Sequence, residues 1–205
     1  MQGYLSIVLH AHLPFVRHPE HERFLEESWL FEAVTETYAP CLQILEGWQR
    51  DQIDARVTLS LSPTLCAMLL DPLLRARYER HLNGLIDLAE KEIHRTHWDR
   101  AYRELAWMYH HKFSLARETW RHYGGDLIGA FKKFQDKGRI EIVTTAATHG
   151  LLPLISGHQP SVRAQILAAR DHYVSCFGRD PRGIWLPECA YAEGVEKFLQ
   201  EANIR

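Results

Sequence analysis

The feature that most constrains this chain is an alternation of short, apolar, β-branched stretches with long amphipathic ones. Short apolar runs read as buried strands. Longer runs with apolar residues three and four apart read as helices. Three stretches have the first character: Tyr4–Leu9, Ile140–Thr145 and Gly183–Leu186. A fourth, Arg56–Leu61, alternates Val57, Leu59 and Leu61 with polar partners and ends at Ser62-Pro63. Between them lie helical patterns at Glu26–Arg50, Asp71–Arg95, Trp98–Lys137, Ser161–Phe177 and Ala192–Ala202. Pro40 is expected to break or restart the first. Asp71-Pro72 is a cap and first-turn pair, and Gly124-Gly125 is expected to divide the third pattern. Ser161 is the expected cap of the fourth, which closes at Gly178. Strands alternating with helices argue for an α/β fold with a parallel sheet and right-handed crossovers. A helical insert, about residues 64–138, separates the second and third strands. A fifth strand is expected where the sequence ends at Asn203-Ile204-Arg205, so the 205 residues read as one truncated domain.

The composition narrows the partners. A net charge of -2 supplies no positive field for nucleic acid or an anionic membrane. No apolar run approaches a membrane span, and no basic, apolar leader opens the chain. Cys41, Cys66, Cys176 and Cys189 form no C-x-x-C pair, which suits a reducing cytoplasm. Six Trp and 13 His exceed what a core of this size needs, and both types recur in stacking, polar ligand sites.

In a parallel α/β fold, functional groups gather at the carboxyl ends of the strands. There the sequence places His10-Ala11-His12-Leu13-Pro14, Ala146-Ala147-Thr148-His149-Gly150 and Pro187-Glu188-Cys189-Ala190-Tyr191. Three strands thus deliver His, His and Glu to one rim. Glu188, beside Pro187 and an apolar wall of Ile184, Trp185 and Leu186, has the setting of a partly buried nucleophile. Its bland alternative is a carboxylate favouring the dipole of the next helix. His10, His12 and His149 could ligate a metal or hydrogen-bond sugar hydroxyls, and the residues alone leave both open. Trp29 could stack on a pyranose face or pack in a helix core. Trp98, Trp107, Trp120 and Trp185 are expected to pack. Arg75–Arg80 and Lys132-Lys133 read as solvated helix faces, and His94, His97, His110 and His111 as surface or packing residues.

Three of these motifs resemble glycoside hydrolase family 57 of the branching-enzyme type. His10-Ala11-His12-Leu13-Pro14 is similar to its first motif and Ala146-Ala147-Thr148-His149-Gly150 to its second-motif region. Trp185-Leu186-Pro187-Glu188-Cys189-Ala190-Tyr191 resembles the third, which carries the nucleophile. Trp29-Leu30-Phe31-Glu32-Ala33 with Thr35-Glu36-Thr37-Tyr38 and Pro40 also looks like this subfamily. The resemblance implies the N-terminal part of a (β/α)7 incomplete TIM-like barrel acting on α-1,4-glucan by retaining glycosyl transfer. It implies Glu188 as nucleophile, His10, His12, His149 and Trp29 as substrate-binding residues, and neither metal nor cofactor. It places the acid/base in an Asp of a fourth motif that this chain does not contain, so the 205 residues alone are expected not to turn over glucan. An α-amylase or 4-α-glucanotransferase of the same family is the near alternative. A metal-dependent hydrolase or a glucan-binding protein is the distant one.

Overall fold

The computed structural model describes Gly3 and residues 5–205. The elements run β1 (Val8–Ala11), α1 (Glu27–Ala33), a π-helical turn (Val34–Tyr38), α2 (Ala39–Arg50), β2 (Val57–Leu61) and α3 (Pro63–Leu70). They continue with α4 (Pro72–Arg95), α5 (Arg100–His122), α6 (Leu127–Asp136) and β3 (Ile140–Val143). The last are α7 (Leu152–Ile155), α8 (Gln159–Phe177), a 3-10 turn (Pro187–Cys189) and α9 (Glu196–Glu201). The chain divides into two compact units, a sheet unit (residues 1–15, 52–68 and 131–205) and a helical unit (residues 16–51 and 69–130). Of the helices in the expected insert, α4 and α5 fall in the helical unit with α1 and α2, whereas most of α3 and of α6 belongs to the sheet unit.

The sheet is parallel, in the order β1-β2-β3. Parallel strands need a crossover, and each crossover here is helical. β2 lies in the centre, where Leu59, Ser60 and Leu61 are all buried. Ile140 and Ile142 of β3 pack with it. A second cluster joins Ala146, Leu152, Val162 and Ile166 to Val195, Phe198, Ala202 and Ile204. Two strand expectations change. Tyr4 lies outside the described residues, and β1 begins only at Val8, so His10 falls inside the strand rather than after it. β1 is also an edge, with Val8 and Leu9 exposed, not a strand buried on both faces. The strand expected at Gly183–Leu186 shrinks to one parallel bridge, Thr144 to Ile184. Its ladder is two bonds, Thr144 N–H to Gly183 O at 3.3 Å and Trp185 N–H to Thr144 O at 2.8 Å. Pro187 then turns the chain into the 3-10 turn, and a proline cannot donate to a longer ladder.

The helical unit follows its local signals closely. Asp71 caps α4, its carboxylate accepting from Leu73 N at 2.9 Å and Leu74 N at 3.0 Å. Asp99 caps α5 in the same way, so that helix starts just after Trp98 rather than at it. Pro40 restarts the helix as expected: α2 begins at Ala39 with the proline in its first turn, after a π-helical turn closed by Ala39 N–H to Val34 O. Gly124 and Gly125 separate α5 from α6 at φ +59° and +73°, where a Cβ on Gly125 would sit 2.8 Å from the Trp120 ring. Trp120 is the packing residue expected, 6% exposed against Tyr78. Trp98 and Trp107 are not, at 75% and 54% exposed. Arg77 also departs from the solvated face expected for Arg75–Arg80. It is buried in an ion pair with Glu27, at 2.6 and 2.8 Å, and donates to the His18 and His21 carbonyls. In the sheet unit, α8 starts at Gln159 with His158 rather than Ser161 before it, and ends at left-handed Gly178. α9 spans only the middle of the stretch expected.

Candidate active site

The site grows from the pairing of β1 with β2. His10 pairs with Ser60 in register, and side chains on a strand repeat every two residues. His10 and His12 thus project on one side, opposite Ser60 and Ser62. Ser62 N–H extends the pairing to Ala11 O at 3.0 Å. The side chains meet accordingly: His10 Nδ1 lies 3.0 Å from Ser60 Oγ, and His12 Nδ1 lies 3.0 Å from Ser62 Oγ. Thr64 Oγ1 approaches the same His12 nitrogen at 3.4 Å.

The segment after β3 adds His149. Its ring lies against His12, with centroids 3.8 Å apart and planes 9° apart, and its Nε2 is 3.0 Å from His10 Nε2. His149 has φ +55°, a left-handed conformation that costs a residue with a Cβ roughly 1–2 kcal/mol. Gln165 of α8 holds that turn: its side-chain oxygen accepts Thr148 N–H at 2.9 Å and its amide donates to Thr148 Oγ1 at 2.7 Å.

The 3-10 turn brings Glu188, whose Oε1 stands 3.7 Å from His149 Nδ1. Glu188 and Cys189 both have φ +55°. The turn is closed by Cys189 N–H to Leu186 O at 2.9 Å and Ala190 N–H to Pro187 O at 3.1 Å. Non-glycine residues in this region cluster where a backbone is held for a purpose. The apolar wall expected beside Glu188 is not there: its side chain is 73% exposed. Ile184 and Leu186 pack instead against the sheet-unit core. Trp185, expected to be core, is half-buried and stacks on His10 at 5.3 Å and 20°. Trp29 belongs to α1 of the helical unit, 46% exposed there.

The histidines are tuned to stay neutral. Burial, then His149 and His10, push His12 down to about 4. Burial, then His149, lower His10 against an opposing pull from Glu188. Burial also lowers His149, again opposed by Glu188. A neutral imidazole offers one donor and one acceptor, the mixture a sugar hydroxyl needs. The three imidazoles stack or tilt against one another, with interplanar angles of 9° to 31°. Among the described residues, no three His, Cys, Asp or Glu side chains are arranged to hold a metal ion. Sequence reasoning missed Ser60, Ser62, Gln165 and the role of Trp185. The serines left one trace, polar residues alternating with Leu59 and Leu61 in a strand; the glutamine left none.

A small parallel sheet flanked by helices, with three imidazoles and a carboxylate gathered at its carboxyl rim, defines an α/β protein. Residues 6–205 match the profile of glycosyl hydrolase family 57, and the chain belongs to that family. It is 34% identical, over 221 residues, to the 1,4-alpha-glucan branching enzyme of Thermococcus kodakarensis, a match covering 100% of this chain and 32% of that protein. The crystal structure of that enzyme, in complex with glucose and additives, superposes with a TM-score of 0.92 and covers 100% of this chain and 39% of that one. The alpha-amylase AmyC from Thermotoga maritima superposes with a TM-score of 0.95 at 42% identity, over 100% of this chain and 39% of that one. The chain thus spans 32% to 39% of the length of these relatives.

Proposed function

We propose that the protein is a 1,4-α-glucan branching enzyme and that these residues are the first part of its (β/α)7 catalytic barrel, with the helical unit inserted into it. The observation that carries the site is Glu188 beside His149 on the rim, in a family of glycosyl hydrolases. Glu188 attacks the anomeric carbon of an α-1,4-glucan. The glycosidic C–O bond breaks, and its oxygen takes a proton from an Asp acid/base outside these 205 residues. The chain is then held as a glycosyl ester on Glu188. A 6-hydroxyl of a second glucan attacks that ester, gives its proton to the Asp, and leaves an α-1,6 branch. Retaining chemistry needs the two carboxyl groups roughly 5–5.5 Å apart. The exposure of Glu188 suits this reading, because a nucleophile must be reachable by substrate. Neutral His10, His12 and His149 bind sugar hydroxyls, and Trp29 stacks on a glucose ring. No metal or cofactor enters the scheme. Among the described residues, no helix is long and apolar enough to cross a membrane, and the cytoplasm is the proposed compartment.

The likeness to AmyC favours a second reading, hydrolysis of the same bond with water as acceptor. The products separate the two. Amylose treated with the complete enzyme should gain α-1,6 linkages, seen by proton NMR and by debranching digestion. Shortened linear chains with new reducing ends, and no α-1,6 linkage, would establish the amylase instead.

A further inference from the structure

We infer that Ser60 and Ser62, two buried serines of the central strand, are positioning residues that set the three histidines in opposite tautomers and end a hydrogen-bonded chain as an N–H donor facing Glu188. The inference rests on Glu188 being the nucleophile, and it names how the fold presents that carboxylate.

The proton count starts at Glu188. A ring nitrogen 3.7 Å from a carboxylate is attracted if it carries a proton and repelled if it presents a lone pair. His149 Nδ1 therefore holds the proton, and in the neutral ring Nε2 is an acceptor. The atom facing it is His10 Nε2, at 3.0 Å, which must then be the donor. That leaves His10 Nδ1 as an acceptor, and the group facing it is Ser60 Oγ at 3.0 Å. A serine hydroxyl can donate, so each link has one proton and one lone pair. The chain runs from Ser60 through His10 and His149 toward Glu188, and the Trp185 ring stacked on His10 restrains its plane. Ser60 is fully buried, so no solvent competes for its hydroxyl.

His12 solves the opposite problem. Thr64 has a single hydroxyl proton, and it is directed to Leu13 O at 2.9 Å. Thr64 Oγ1 is thus an acceptor toward Ser62 Oγ, 3.1 Å away. Ser62 spends its proton there and presents a lone pair to His12 Nδ1 at 3.0 Å. His12 Nδ1 must be the donor, with the Thr64 oxygen at 3.4 Å as a weaker second acceptor. His12 Nε2 is then a lone pair available to a sugar hydroxyl. Two serines two residues apart thus give two histidines two residues apart the reverse protonation pattern. A substrate meets a donor-fed nucleophile and a free acceptor side by side.

Ring-nitrogen NMR of the histidines at pH 7 reads the tautomers directly, with His10→Gln, His12→Gln and His149→Gln assigning the signals. The expected pattern is His10 protonated on Nε2 and His149 and His12 on Nδ1. Ser60→Ala should mix the His10 and His149 tautomers while leaving His12 unchanged, and Ser60→Thr should restore them. In the complete enzyme Ser60→Ala should lower kcat about tenfold with KM within about twofold, again rescued by Ser60→Thr, since a lost charge-assisted contact is worth about that much. Wild-type tautomers in Ser60→Ala, or His149 protonated on Nε2, would overturn the inference even in a Glu188-dependent enzyme. The expected tautomers in an enzyme still active as Glu188→Gln would instead refute the nucleophile and leave the serine chain standing.

Discussion

The helical unit buries charge as a single compensated pair, whereas the sheet unit buries hydroxyls and imidazoles in chains. Glu27 and Arg77 neutralise each other, and Arg77 satisfies two backbone carbonyls besides. Its helices open on Asp71 and Asp99 caps and turn at two glycines. In the sheet unit, Ser60 and Ser62 lie behind uncharged rings, and the backbone at His149, Glu188 and Cys189 occupies a left-handed region without the help of glycine. The first arrangement follows local preference at the caps of α4 and α5 and at the glycine turn. The second spends local preference on the geometry of one rim, the pattern expected where a fold carries chemistry.

The contrast can be broken at several points. The largest effect is expected at the rim: Glu188→Gln in the complete enzyme should reduce turnover by on the order of 10³-fold or more, because the covalent step is lost, with little change in melting temperature. Near-normal branching by that variant would remove the catalytic half of the comparison. In the helical unit the reverse is expected. Glu27→Ala strands Arg77 in the interior and should cost about 3–5 kcal/mol in urea unfolding. Replacing both partners, as Glu27→Met with Arg77→Leu, should recover most of that loss. Equal destabilisation by the single and double variants would show that the pair is held by its carbonyl contacts rather than by its charges.

Gly125→Ala comes next, at about 1–3 kcal/mol, since it adds a Cβ at φ +73° facing the Trp120 ring. Asp71→Ala should cost about 1 kcal/mol through the lost α4 cap. Thermal unfolding of both variants checks the order, and a larger loss from the cap than from the glycine would reverse it. Acid sharpens the contrast last. His12, His10 and His149 in the sheet unit and His81 in the helical unit all titrate below their ordinary value, burial being the first cause in each. A depressed histidine favours the neutral folded state. Its contribution is complete above about pH 6.5, where the unfolded chain is also neutral, and fades as pH falls. For His12 the loss finishes near pH 4. Urea midpoints should therefore fall between pH 7 and 4.5, and fall less in His12→Gln. An identical drop in that variant would mean that His12 does not bind its proton this late.

Much of the helical unit was legible because its signals are local. A cap aspartate, a proline in the first turn or a paired glycine acts within one turn of itself, so Asp71, Gly124 and Gly125 announce their roles in a bare sequence. Arg77 did not, since its partner Glu27 lies fifty residues away. The rim was half legible. His10, His12, His149 and Glu188 stood out because the carboxyl ends of parallel strands collect functional groups, and the structure brings all four together. Trp185 was misread as core, because an indole in a strand looks the same whether it packs inward or stacks on a histidine.

The sequence by itself determined most of the strand and helix stretches, the caps and turns that open α4 and α5 and separate α5 from α6, and which residue types reach the rim. Periodicity, caps and turns carry that information over a few residues. Tertiary structure decided the rest: that β1 pairs with β2 in the register placing Ser60 behind His10, that His149 lies over His12, and that Glu188 stands clear of its apolar neighbours. It also reduced the strand expected at Gly183–Leu186 to a single bridge. A hydrogen bond between residues 50 or 139 positions apart leaves no period in the chain. It exists only once the sheet has closed the distance.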